Sequence, residues 1–184
     1  NLYIRNIYNS FVYIQKQKRW YKTLPDMLRA FGVENVPQQL MVWDVLTDRR
    51  GQLWVATDHD GLFVVDLKSR QLRQFLYDKF DPSSLSDNTP RNLYEDKDGQ
   101  IWIGTYKNGA NQYRVGSTYA RSVELGDVNT VVEDRYGHFW VGINDRGIIV
   151  YDAETNEQLQ HYTAENSGLS GNVMVGSTYG SDGS

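Results

Sequence analysis

One ten-residue pattern occurs three times without gaps, and it restricts the fold of this chain more than any other feature. Asp48-Arg49-Arg50-Gly51-Gln52-Leu53-Trp54-Val55-Ala56-Thr57 aligns with Asp96-Lys97-Asp98-Gly99-Gln100-Ile101-Trp102-Ile103-Gly104-Thr105 and with Asp134-Arg135-Tyr136-Gly137-His138-Phe139-Trp140-Val141-Gly142-Ile143. In each copy a Trp follows the turn Gly by three residues. A second Gly (Gly61, Gly109 or Gly147) then follows the Trp by seven. The three Trp residues stand 48 and 38 residues apart. Repetition at such a period describes one supersecondary unit that cannot bury its apolar face alone and must stack on its neighbours.

A weaker copy precedes these. Leu2-Tyr3-Ile4 stands where Leu53-Trp54-Val55 stands, and Asn9-Ser10-Phe11-Val12-Tyr13 where Asp60-Gly61-Leu62-Phe63-Val64 stands. At the far end Asp182-Gly183-Ser184 matches Asp98-Gly99-Gln100. Four repeat lengths are therefore expected across residues 1–184, at approximately 1–40, 41–90, 91–127 and 128–184. Both ends fall just after a turn Gly, so the chain is expected to be a fragment cut in phase.

Each repeat reads as four short strands. In the 91–127 copy they are expected at Arg91–Glu95, Gln100–Thr105, Ala110–Val115 and Ala120–Leu125. Asp-x-x-Gly precedes the second strand and Asn108-Gly109 the third. Asn-Gly tolerates the positive φ of a tight hairpin, which makes the flanking strands antiparallel neighbours. The Trp strand is apolar at consecutive positions instead of alternating, the mark of a strand covered on both faces. The aromatic usage, 13 Tyr and 5 Trp against 6 Phe, suits pleated surfaces. The expected fold class is all-β: a β-propeller of about four repeats of four-stranded antiparallel blades. One helix is expected in the long connection Leu24–Leu40, capped by Thr23 with Asp26, started at Pro25 and stopped by Gly32, with Met27, Leu28 and Phe31 inward.

Glu95-Asp96-Lys97-Asp98-Gly99-Gln100-Ile101-Trp102-Ile103-Gly104-Thr105 resembles the repeat of two-component regulator propellers, and Asp81-Pro82-Ser83-Ser84-Leu85-Ser86-Asp87-Asn88 is similar to the segment between their blades. Asn166-Ser167-Gly168-Leu169-Ser170-Gly171-Asn172 is a looser version. Ala56 in place of Gly and Ile143 in place of Thr depart from the pattern. The resemblance covers Val42–Asn172 well and Leu2–Tyr13 weakly. It implies seven-bladed rings in the periplasmic sensor of a Bacteroides-type hybrid histidine kinase, with the membrane helix, kinase and phosphorelay modules outside this chain. It also implies a homodimer in the full receptor. A streptogramin-lyase type of propeller is a less similar relative, and would make the protein a lyase or hydrolase. A purely structural, dimerising propeller is the third reading.

The remaining chemistry narrows these. A net charge of −4 and the absence of a basic stripe argue against nucleic acid. No Cys is present, which removes disulfides, thiolate metal sites and Cys nucleophiles. No apolar run approaches the ~18–20 residues of a membrane span. His59, His138 and His161 occupy different repeat phases, so no catalytic residue is assigned, and His138 reads as a solvated turn residue. Asp96-Lys97-Asp98-Gly99 has the look of a calcium loop. Its sibling turns lack the second carboxylate, so it reads as a turn, and neither metal nor cofactor is expected. The Trp residues read as wedges between blades, and Lys16, Lys18, Arg19 and Lys22 as protection of an outer strand.

Antiparallel connectivity places the links between second and third strands on the same face as the links between blades. These links vary while the Trp core does not, as a recognition surface requires. Asp58, His59, Tyr106, Lys107, Asn144 and Arg146 are the candidate contacts for a small-molecule or oligosaccharide ligand. The phase of the cut allows a closed four-bladed ring or an arc of a larger one; the resemblance favours the arc.

Overall fold

The turn carboxylates explain why the repeats fold as they do. In the computed structural model, which describes residues 2–5, 10–114, 120–123, 125–155 and 157–177, Asp48 Oδ1 accepts the backbone N–H groups of Arg50 (3.0 Å) and Gln52 (2.8 Å). Asp96 does the same for Asp98 and Gln100, and Asp134 for Tyr136 and His138. Gly51, Gly99 and Gly137 take the left-handed φ that closes each turn. The other oxygen, Oδ2, accepts the indole N–H of the Trp six residues on: Trp54 and Trp102 at 3.0 Å, Trp140 at 2.9 Å. One carboxylate thus satisfies the turn and the only polar atom of the wedge.

Strands β1 (Leu2–Arg5), β2 (Ser10–Ile14) and β3 (Arg19–Tyr21) form a three-stranded antiparallel sheet. Helix α1 (Leu24–Ala30) follows, with Thr23 Oγ1 accepting the Asp26 N–H at 3.1 Å, Pro25 in the first turn and Gly32 at φ 78°. Three four-stranded sheets come next. They are β4 (Val42–Thr47), β5 (Gln52–Thr57), β6 (Leu62–Asp66) and β7 (Gln71–Phe75); β8 (Pro90–Glu95), β9 (Ile101–Thr105), β10 (Ala110–Tyr113) and β11 (Ala120–Val123); and β12 (Val128–Glu133), β13 (His138–Ile143), β14 (Gly147–Asp152) and β15 (Gln158–Tyr162). Every sheet runs in chain order and every pairing is antiparallel. The fold is a stack of propeller blades.

Three cores lie between consecutive sheets. Leu53, Val55, Phe63 and Val65 face β2, β3 and α1, where Val12, Tyr21, Leu24, Met27 and Leu28 are buried. The alternate residues Trp54, Ala56, Leu62 and Val64 face Leu93, Ile101 and Ile103 of the next blade. Trp102 and Ala110 in turn meet Val131, Phe139, Val141 and Ile149. Side chains alternate across a strand, so each middle strand divides its residues between two cores. Trp54 packs on Tyr113 at 5.2 Å and Trp102 on Phe139 at 4.5 Å between ring centroids. Trp140 stays half-buried against Tyr162 of its own blade, 5.8 Å away and nearly parallel.

Polar ties reinforce the stack. Glu95 accepts the Arg49 N–H of the preceding blade at 3.0 Å, and Glu133 that of Lys97 at 3.0 Å. Asp44 accepts from Leu93 N (2.8 Å) and Asn92 from Val131 N (3.1 Å). Thr130 continues the series with Ser177, 2.6 Å between hydroxyls, and Asn129 donates to Met174 O at 2.7 Å. The run 172–177 thus occupies the place of a first strand. It forms no ladder, however. β1 pairs only with β2 among the described residues, so no pairing of the two ends closes a ring there. The turn expected at 182–184 lies outside the described residues.

Candidate functional site

Short loops hold the face that carries the inter-blade links. Thr57 Oγ1 donates to Gly61 O at 2.5 Å and Thr105 Oγ1 to Gly109 O at 2.7 Å, which ties each hairpin back on itself. The backbone then ties each hairpin to the links that enter and leave its blade. Asp58 N donates to Met41 O, Tyr106 N to Thr89 O and Asn144 N to Asp127 O, at 2.8–3.0 Å. Gly61 N donates to Asn88 O and Gly147 N to Asn172 O. The Asn side chains shape the long links, since Asn88 Oδ1 accepts from Tyr77 N and Asn172 Oδ1 from Ala164 N, each at 2.7 Å. A Cβ at Gly61 or Gly147 would collide with the carbonyl oxygen of Phe75 or Tyr162.

Between these links lies a cleft of about 640 Å³, lined by Tyr77, Asp78, Lys79, Asp81, Pro82, Ser84, Leu85, Ser86, Lys107, Asn108, Gly126 and Arg146. Its carboxylates are engaged. Asp78 Oδ1 accepts from Phe80 N at 2.9 Å, and Asp81 Oδ1 from Ser83 N at 2.8 Å and the Ser83 hydroxyl at 2.5 Å. The Ser83 bonds hold the Asp81 carboxyl below the usual carboxylate range. Its cations are less committed. Lys79 Nζ lies 4.7 Å over the Phe80 ring, Lys107 Nζ 5.3 Å over Tyr106, and Arg146 Nη1 donates to Leu125 O at 3.2 Å. None of the three joins an ion pair among the described residues. The cleft offers hydroxyls, amides and cations beside exposed aromatic edges, which is the chemistry for a polar ligand with a flat apolar face.

The six sequence candidates separate. Lys107 and Arg146 line the cleft, whereas Tyr106 does not, although its ring centroid lies 5.3 Å from Lys107 Nζ. Asp58 and His59 pair with each other at 2.9 Å outside it, with the His59 side chain 83% exposed. Asn144 is held by its backbone and does not line the cleft. Sequence reasoning points to the 78–88 loop without singling out its residues, and it misses Trp43 and Arg91 altogether. Arg91 lies over the Trp43 and Tyr106 rings, 4.6 and 4.0 Å from their centroids. The signal that could have found Trp43 and Arg91 is their shared repeat position on the first strand.

His138 departs from the solvated turn residue expected of it. It is half-buried, and its Nδ1 sits 3.0 Å from Asp134 Oδ2. Burial pushes the Asp134 carboxyl up, but the bonds from Trp140, His138 and Tyr136 outweigh it and leave it below the ordinary range. No group of three or more His, Asp or Glu able to hold a metal occurs among the described residues. No helix there is long and apolar enough to cross a membrane.

Known proteins resemble the chain at two levels. The sequence profile described as two component regulator propeller matches residues 36–59 and 84–107. No curated protein matches at the sequence level. Among solved structures, one extracellular domain assigned to a hybrid two component system of B. thetaiotaomicron matches with TM-score 0.74 and 16% identity, over 98% of this chain and 24% of that one. A second such domain from the same organism gives 0.68 and 15%, over 87% and 25%. PorZ, a surface component of the type-IX secretion system of Porphyromonas gingivalis, gives 0.67 and 15%, over 94% and 27%. At these identities the likeness is one of fold. The chain spans about a quarter of the length of each of these structures.

Proposed function

We propose that this chain, which matches the two component regulator propeller profile at residues 36–59 and 84–107, is part of the extracytoplasmic sensing propeller of a hybrid two-component system, receiving a glycan-derived oligosaccharide on its loop face. The observation that carries the reading is the cleft, built from variable links of consecutive blades over a constant Trp scaffold. A rigid scaffold with polar, uncommitted side chains on its loops is suited to recognition. The neighbours described as extracellular domains of two-component systems support the sensor role and the periplasmic side of the membrane. A kinase, a membrane helix and a dimeric receptor belong to the proposal as parts outside this chain. The lyase or hydrolase reading has less support, because Asp78 and Asp81 spend their oxygens on loop turns and the three His stand apart.

The test is calorimetric titration of the protein with a panel of neutral and acidic plant and host oligosaccharides, repeated on Lys107→Ala and Arg146→Ala. Binding by at least one oligosaccharide, weakened about tenfold or more by either variant, is the expected result. Binding that neither variant weakens moves the site off the cleft, and no binding at millimolar concentration overturns the reading.

A further inference from the structure

The first strand of each complete blade breaks register at one residue. The shifts fall between Val42 and Asp44, Pro90 and Asn92, and Val128 and Thr130. The residues left out of the ladder are Trp43, Arg91 and Asn129, at one repeat position on the strands that pack on each other from blade to blade. Such a bulge re-aims a side chain out of the sheet. Asn129 spends its amide on Met174 O. Arg91 is different.

Its guanidinium carbon lies over two rings, 4.6 Å from the Trp43 centroid and 4.0 Å from that of Tyr106. Its Nε is buried without a hydrogen-bond partner. No described carboxylate forms an ion pair with it. A buried guanidinium N–H left without an acceptor is costly, while cation–π contact returns only part of that cost. The guanidinium is charged at every physiological pH and presents a planar donor fork that matches a carboxylate in two parallel bonds. Such a fork fits a planar carboxylate better than a tetrahedral oxyanion. Lys107, whose Nζ lies 5.3 Å from the Tyr106 ring centroid, adds positive potential beside it.

We propose that Arg91, held over the Trp43 and Tyr106 rings, is a receptor for a carboxylate group on a ligand of the loop face. The inference goes beyond the sensor reading and stands or falls independently of it. A uronic acid and a free dicarboxylate share the chemistry that Arg91 reads.

The experiment follows the Arg91 Nε–H resonance by NMR, assigned through its loss in Arg91→Lys, while sodium glucuronate, sodium succinate, glucose or sodium sulfate is added at constant ionic strength. The expected result is a saturable shift with glucuronate, none with glucose, and glucuronate affinity at least about tenfold weaker in Arg91→Gln. An equal response to succinate leaves the inference standing and counts against a sugar at this site. No saturable shift with either carboxylate, or saturation by sulfate alone, overturns it. The wild-type titration decides the matter even if Arg91→Gln folds poorly.

Discussion

Trp102 donates its indole N–H to Asp96 Oδ2 at 3.0 Å, across the turn that the same carboxylate closes through its Oδ1. Asp48 with Trp54 and Asp134 with Trp140 repeat the arrangement. The spacing of six residues in the repeat is therefore a bonding distance. Asp96→Ala removes the acceptor for one buried indole and two backbone donors, and should cost about 2–4 kcal/mol. Chemical denaturation measures it; a loss within ~0.5 kcal/mol would show that solvent replaces the carboxylate.

The same Trp position differs in burial along the stack. Trp102 is 7% exposed under Phe139, while Trp140 is half-buried. Trp102→Ala should destabilise by roughly 3–5 kcal/mol and Trp140→Ala by clearly less, about 1–2 kcal/mol. Equal losses would refute the reading that Trp102 derives its contribution from the following blade. Abolished ligand binding with unchanged melting in Trp102→Ala would make it a contact residue instead.

Gly61 and Gly51 share a left-handed φ but not their surroundings. A Cβ at Gly61 meets the Phe75 carbonyl oxygen, whereas nothing lies within 4 Å of one at Gly51. Gly51→Ala should cost only backbone strain, about 1 kcal/mol, and Gly61→Ala at least ~3 kcal/mol. Thermal melting of the two variants side by side checks the difference, and a reversed order would contradict the hairpin packing.

Burial, with the negative charge of Glu133 beside it, pushes the Tyr94 hydroxyl from 10.0 up to about 12. The folded state thus favours the neutral phenol. That contribution is fully present below pH 10.0 and is lost as pH rises from there toward 12. Tyr94→Phe should flatten the fall in stability across this window relative to the parent protein. Parallel slopes in denaturant titrations over the same pH range would rule it out.

The repeat register is legible in the amino-acid order. Trp spacing, the Asp-x-x-Gly turns and doubly apolar strands such as Ile101-Trp102-Ile103 are local signals, and each blade is a local antiparallel sheet that such signals determine. The helix at Leu24–Ala30 follows from its cap for the same reason. The cleft is only half legible. Counting strands assigns Lys107 and Arg146 to one face, but it assigns Asp58, His59 and Asn144 there too, and counting does not reveal which loops converge.

What the amino-acid order determined by itself is therefore the blade: its strands, its turns and the face on which its links emerge. Tertiary structure alone decided how Asp96 divides its two oxygens, why Glu95 reaches back to Arg49, and that Arg91 settles over Trp43 and Tyr106. The physical reason is distance along the chain. Arg91 and Trp43 are 48 residues apart, on strands of separate blades, and only the stacking of those blades brings the cation over both rings.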